Sequence, residues 1–173
     1  MPQLKSSKWS KTTYQQCAAL IHSQQSLLLS TLSDSNTPHA SYAPFILHQG
    51  TFYIFVSALA EHTQNLLNYP QASVLIVEPE ENAETIFARQ RIQLQAKSHR
   101  ISREEKHWQS TLDTFESNFG EIIQTLRALP DFHLFQLRPV SGLYVKGFGQ
   151  AYPLESEQIK ELFSFKNQRV DSI

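Results

Sequence analysis

The side chains able to do chemistry fall into four short stretches. In Ser57-Ala-Leu-Ala-Glu-His62-Thr-Gln-Asn65 an apolar strand pattern gives way to a helical one. A helix start offers free backbone N–H groups, and Ser57, His62, Thr63 and Asn65 add side-chain partners for an anionic group; ordinary capping plus a surface histidine is the competing reading. Arg89 and Arg91 alternate onto one face of what reads as a strand. Two guanidinium forks there suit a phosphate or carboxylate, and solvated strand arginines fit the pattern as well. Asp131 and His133 also share a face by strand alternation. A carboxylate so placed can orient an imidazole and raise its basicity, although an Asp at a strand start also serves as a turn residue. In Lys146-Gly-Phe-Gly149, two glycines around an aromatic let a ligand or a backbone approach closely, without the residue order of a phosphate loop.

Other chemistries are disfavoured. The seven histidines form neither HExxH nor a zinc cluster, and no GxSxG element supports a serine hydrolase. The single cysteine, Cys17, rules out an internal disulfide framework and a Cys-built zinc site; on its helical face it reads as a small buried hydrophobe. The acidic run Glu78–Glu84 lacks the spacing of a calcium loop and reads as a solvated turn. Fifteen Lys+Arg against sixteen Asp+Glu give a formal net charge of -1, which argues against a general nucleic-acid binder. No apolar run has membrane-spanning length, and the first residues lack a signal-peptide core. A soluble, cytoplasmic protein with no membrane partner is the expectation.

The elements that must position these residues can be read from periodicity. Thr12-x-x-Gln15 has capping-box spacing ahead of a helix whose face carries Tyr14, Cys17, Ala18 and Ile21. Ser26–Leu32, His39–His48 and Thr51–Ser57 read as strands joined by turns, with Pro44 implying an edge or a bulge. A short helix over Glu61–Asn68 precedes a strand at Ser73–Val77 and a long one from Thr85 to Ile101. Ser102-Arg-Glu-Glu105 is a second capping box, followed by a core stripe of Trp108, Leu112, Phe115 and Phe119. A further short helix ends before Pro130. Asp131–Arg138 then reads as a strand ended by Pro139, with Ser141-Gly142 turning into another at Leu143–Gly149, and a last helix runs near Glu155–Phe165. No regular crossover helices separate the strands. The pattern predicts a mainly β (α+β) fold, an antiparallel barrel with peripheral helices. All 173 residues form one domain: 1–25 an N-terminal leader and helix, 26–152 the barrel with inserted helices, 153–173 a C-terminal helix and tail.

Leu27-Leu-Leu-Ser-Thr-Leu32, Ala40-Ser-Tyr-Ala-Pro-Phe45, His62-Thr-Gln-Asn-Leu66, Phe87-Ala-Arg-Gln-Arg-Ile92, Phe119-Gly-Glu-Ile-Ile123, Asp131-Phe and Gly142-Leu-Tyr-Val-Lys-Gly-Phe-Gly-Gln-Ala151 occur in an order that carries a resemblance. Together they resemble the haem-utilisation (HugZ/HutZ-type) branch of the pyridoxamine-phosphate-oxidase-like, FMN-binding split-barrel superfamily. The resemblance implies a split barrel that forms a homodimer, with two symmetry-related sites lined by both subunits. It implies haem as the cofactor and a part in opening the ring to release iron. FMN-dependent oxidoreduction is the alternative, with Arg89, Arg91, Ser57 and Lys146 as flavin or phosphate contacts, and non-enzymatic haem carriage or storage is a third. By motif position Arg91 corresponds to the arginine on the distal side of the haem, and Asp131 to the acid that orients the axial histidine across the dimer. That family ligand is a histidine in the C-terminal tail. Here the tail is Lys166-Asn-Gln-Arg-Val-Asp-Ser-Ile173, with Gln168 near the expected place and His133 or His62 as substitute iron ligands.

Overall fold

Trp9 sets the entry of the chain. Its indole N–H donates to the Pro153 carbonyl at 2.7 Å and its ring stacks on Tyr14 at 4.4 Å. Ser10 then caps helix α1 (Lys11–His22) by accepting from the Thr13 amide, so the cap falls two residues before the expected Thr12. The computed structural model describes residues 8–48 and 50–164, so Gln168 and the tail after Ser164 lie outside the described residues.

After α1 come β1 (Ser26–Leu32), β2 (Pro38–His48), β3 (Thr51–Ser57), α2 (Glu61–Asn68), β4 (Gln71–Val77) and β5 (Arg91–Ile101). They are followed by α3 (Trp108–Phe119), α4 (Ile122–Ala128), β6 (Phe132–Gly147), β7 (Gln150–Leu154) and α5 (Ser156–Ser164). Every strand pair is antiparallel, in the order β3-β2-β1-β4-β5-β6-β7, and β3 returns to pair with β6. Six strands therefore close into a barrel, and β7 adds to β6 beyond the end of β3. The expected antiparallel split barrel with peripheral helices is what forms. Pro44 sits at the last β1-paired position of β2, just before pairing with β3 begins at Phe45, where a missing donor is tolerated.

The core has two compartments because β3 is buried on both faces, which explains its unbroken apolar run. One face of the strands fills the barrel with Leu27, Leu29, Phe52, Ile54, Ile92 and Leu94, and α1 and α5 join this cluster through Cys17, Ile21, Ile159 and Leu162. On the other face, Ile46, Tyr53, Phe55, Ile101 and Leu134 meet Trp108, Leu112, Phe115 and Ile123 of α3 and α4.

Three expectations change. The long strand begins at Arg91, because Ile86–Ala88 form a 3-10 turn capped by Thr85. The acidic run is the cause: the Gln90 amide donates to Glu78 Oε1, and the Arg89 guanidinium bonds the Glu78 carbonyl and Glu80 Oε1, drawing the chain out of the ladder. Arg89 and Arg91 thus do not share a strand face, and the acidic segment is an anchor rather than a free solvated turn. Next, Pro139 does not end a strand and Ser141-Gly142 is no turn; β6 runs through both. Pro139 is accommodated at a register shift, where Gln95 faces Ser141 and Ala96 faces Pro139, so Val140 is the extra residue of a bulge. Gly142 lies so close to β5 that a Cβ there would stand 2.3 Å from the Gln93 carbonyl oxygen. The actual turn is Phe148-Gly149, with Gly149 at φ +69°, and it returns the chain as β7. Finally, Glu105 does accept from the Ser102 amide at 2.8 Å, but turns intervene and the helix starts only at Trp108.

Candidate functional site

The candidate residues gather at two ends of the barrel. At one end β3 runs into α2 beside the start of β6, where Ser57 pairs with Phe132 and Val56 with His133. Ser57 Oγ donates to Asp131 Oδ2 at 2.7 Å and accepts from the Leu59 amide, while the Ala58 amide donates to the Asp131 carbonyl. Asp131 is thereby fixed by Ser57 and not by His133, which corrects the expected Asp131–His133 pair. Strand closure to β3 puts a hydroxyl nearer than the imidazole. His133 packs edge-on against Phe135. Burial, and then the charges of Arg100 and Arg103, hold its pKa below the ordinary value against an opposing pull from Asp131.

The start of α2 turns its polar side chains inward. Asn65 Nδ2 donates to Thr31 Oγ1 at 3.0 Å, and Thr63 is fully buried with its hydroxyl lacking a partner. His62 is 9% exposed, and its Nε2 is buried with no hydrogen bond. Burial first, and the neighbouring His39 second, lower its pKa, so the neutral imidazole is favoured. His39 itself lies 3.3 Å from Glu61. These groups hold α2 against β1 and β2; they do not form an open anion cradle at the helix start.

The other end carries Arg91, paired with Val145. Its Nη1 donates to the Arg89 carbonyl at 3.1 Å, which steadies the guanidinium at the rim of a cleft of about 250 Å³. The cleft is lined mainly by Phe87, Ala88, Leu143, Val145, Phe148 and Ala151 around Arg91. Phe87 is 84% and Phe148 73% exposed, an unusual exposure for two phenyl rings on one cleft. Arg89 is occupied with Glu78 and Glu80, and Lys146 does not line the cleft. The phenyl walls were not named from the sequence; Phe148 was within reach through its two flanking glycines, whereas Phe87 sat on an expected strand that proved to be a turn.

Arg91 and Asp131 stand at opposite ends of β6. Roughly 45 Å of strand path separates Val145, which faces Arg91, from the Asp131 end at about 3.3 Å per residue. An apolar, aromatic-walled cleft with one fixed cation suits the edge of a flat, hydrophobic, acceptor-bearing molecule. At about 250 Å³ it lies below the usual range for a whole small-molecule site of roughly 300–1,000 Å³. The cleft fits part of a porphyrin, with phenyl and aliphatic walls for its faces and a guanidinium as donor, whereas His62, its Nε2 buried, does not line it.

The class defined by this architecture is a small antiparallel split barrel with peripheral helices. Residues 14–146 match the pyridoxamine 5'-phosphate oxidase family model, and the chain belongs to that family, in its HutZ-type branch. It is 38% identical over 136 residues to "Heme oxygenase HutZ" of Vibrio cholerae, spanning 79% of this chain and 77% of that one. The crystal structure of HutZ from Vibrio cholerae, described there as a haem storage protein, superposes with a TM-score of 0.73 at 36% identity, over 78% of this chain and 95% of the other. Campylobacter jejuni ChuZ superposes with a TM-score of 0.79 at 32% identity, over 89% of this chain and 63% of that chain.

Proposed function

We propose that this protein binds haem in haem utilisation, at sites shared between two copies of the chain. The observation that carries the reading is Arg91, steadied by the Arg89 carbonyl beside the exposed rings of Phe87 and Phe148, in a chain whose relatives are named for haem. When bound, haem iron would supply the oxygen chemistry of ring opening, or none if the protein only stores it. Arg91 offers N–H donors from a fixed position on one side. Asp131, with one oxygen held by Ser57, keeps its other oxygen without a partner among the described residues, and can accept from an imidazole N–H. Because Arg91 and Asp131 lie at opposite ends of β6, a homodimer is the arrangement that brings them to one ligand. The outer sheet face supports this: Tyr42 is 66% and Leu28 47% exposed, and the two are cross-strand partners.

A flavin would need a phosphate cradle. Of Arg89, Arg91, Ser57 and Lys146, only Arg91 lines the cleft, and Ser57 is committed to Asp131 at the far end. The haem reading has the better support. No helix among the described residues is long and apolar enough to cross a membrane, and a cytoplasmic location accords with the role proposed.

The test is an absorption spectrum after separate incubation with haemin and FMN, followed by gel filtration. A shifted Soret band carried with the protein is expected. Flavin bands retained in its place would overturn the reading. Loss of the Soret band on adding reductant and oxygen would assign ring opening, and its persistence storage. In the same titration, Gln168→His should tighten haemin binding if the tail lacks only its imidazole.

A further inference from the structure

Past the bulge, the register of β5 and β6 sets Lys97 directly opposite Arg138 and His99 opposite Gln136. Like charges placed opposite each other across a strand pair destabilise it. In this sequence nothing offsets them: neither Lys97 nor Arg138 makes an ion pair among the described residues, whereas Arg89 and Arg127 each have carboxylate partners. The guanidinium is nonetheless braced. Arg138 donates to Gln136 Oε1 at 3.1 Å, and Gln136 Nε2 donates at 3.1 Å to the hydroxyl of Tyr53, a residue of the outer core. A cleft of about 340 Å³ opens here, lined by Lys97, Ser98, His99, Gln136, Arg138 and Val140, with no carboxylate in its wall. Lys97 is six positions along β5 from Arg91, about 20 Å at 3.3 Å per residue, so this cleft is separate from the one walled by Phe87 and Phe148.

We infer that this second cleft is a binding site for a small phosphate-bearing molecule, held by Lys97 and Arg138 across the β5–β6 pair. The ammonium and the guanidinium together match the double charge of a phosphate group, and the fork geometry of arginine fits its oxygens. Val140, put forward by the bulge, offers an apolar contact to the body of a monoester. The formal net charge of the whole chain is -1, so the positive charge is local to the cleft and suits a small anion better than a polyanion. The inference is independent of the haem reading.

The test is an amide NMR titration of the full chain with inorganic phosphate and with phenyl phosphate, against sodium chloride at matched ionic strength. Saturable shifts confined to residues 97–99 and 136–140 are expected, and the stronger of the two ligands tells free phosphate from a monoester. The double variant Lys97→Gln/Arg138→Gln should lose at least tenfold in affinity. Without ligand it should melt at or above the wild-type temperature, because the repulsion is gone. Shifts that chloride reproduces, that survive in the double variant, or that centre on Arg91 would overturn the site. So would a change in the oligomeric mass of the double variant, which would assign the cleft to a contact between chains.

Discussion

Arg91 and His62 show how differently two candidate residues can be used. The Arg91 side chain is held at one Nη and faces a cleft, so its removal should act on ligand and not on fold. Arg91→Ala is expected to weaken haemin binding about tenfold, the scale of one charge-assisted hydrogen bond, while thermal unfolding changes by less than about 0.5 kcal/mol. A haemin titration beside a melting curve checks both halves, and equal affinities would return Arg91 to a solvated strand arginine. His62 is the reverse case, a buried imidazole whose cost appears in stability. Burial lowers the pKa of His62, of His22 and of His133. As pH falls through the ordinary value of 6.5, the unfolded chain takes up protons that the folded chain still refuses. The stability these groups contribute is therefore full above that pH and lost as pH drops toward their depressed folded values. Melting temperatures between pH 7.5 and 5 should fall with acidification, and His62→Gln should make the fall shallower. An unchanged slope would show that His62 is not among the groups responsible.

At the scale of elements, β6 decides where everything else goes. It pairs with β5 along its length, with β3 over its first part and with β7 over its last, so it carries Asp131 at one end and the Arg91 cleft at the other. At Gly142 this strand runs against β5 with no room for a side chain. Gly142→Ala would press a Cβ against the Gln93 carbonyl and against Leu94 Cδ2, 2.7 Å away, and backbone cannot move aside as a side-chain tip can. We expect a loss of about 2–3 kcal/mol, the upper part of the range for overpacking. Urea unfolding monitored by fluorescence measures it, and a wild-type midpoint would mean that the two strands can separate without cost. The continuity of β6 was hidden in the sequence by Pro139 and Gly142, each an ordinary strand breaker. A bulge absorbs the first and a close interstrand approach requires the second, and both depend on the neighbour, β5.

At the scale of the molecule, the proposed sharing of one ligand between Arg91 and Asp131 requires a second chain. The row through Tyr42, Leu28 and Leu75 lies across β2, β1 and β4 on the outer sheet face, and Gln93 and Leu143 continue it on β5 and β6. Light scattering is expected to give the mass of a dimer. Leu28→Lys/Tyr42→Lys should give a monomer that binds haemin more weakly although it leaves Arg91 and Asp131 untouched. A monomeric wild type, or a monomeric variant with full affinity, would show that one chain suffices.

The sequence by itself determined the strand and helix periods, the antiparallel barrel, the core stripe from Trp108 to Phe119 and the family motifs, because alternation and helical spacing are local and core burial enforces them. It also marked Arg91, Asp131 and the two glycines that flank Phe148, although it read that stretch as strand. Only the tertiary structure decided that Arg89 is drawn aside by Glu78 and Glu80, that Asp131 bonds Ser57 instead of His133, and that His62, Thr63 and Asn65 turn inward. Each of those outcomes depends on which distant strand lies alongside. Spacing along the chain fixes the face on which a side chain starts, but a hydrogen bond goes to the nearest partner in space, and the closure of β3 onto β6 sets that distance.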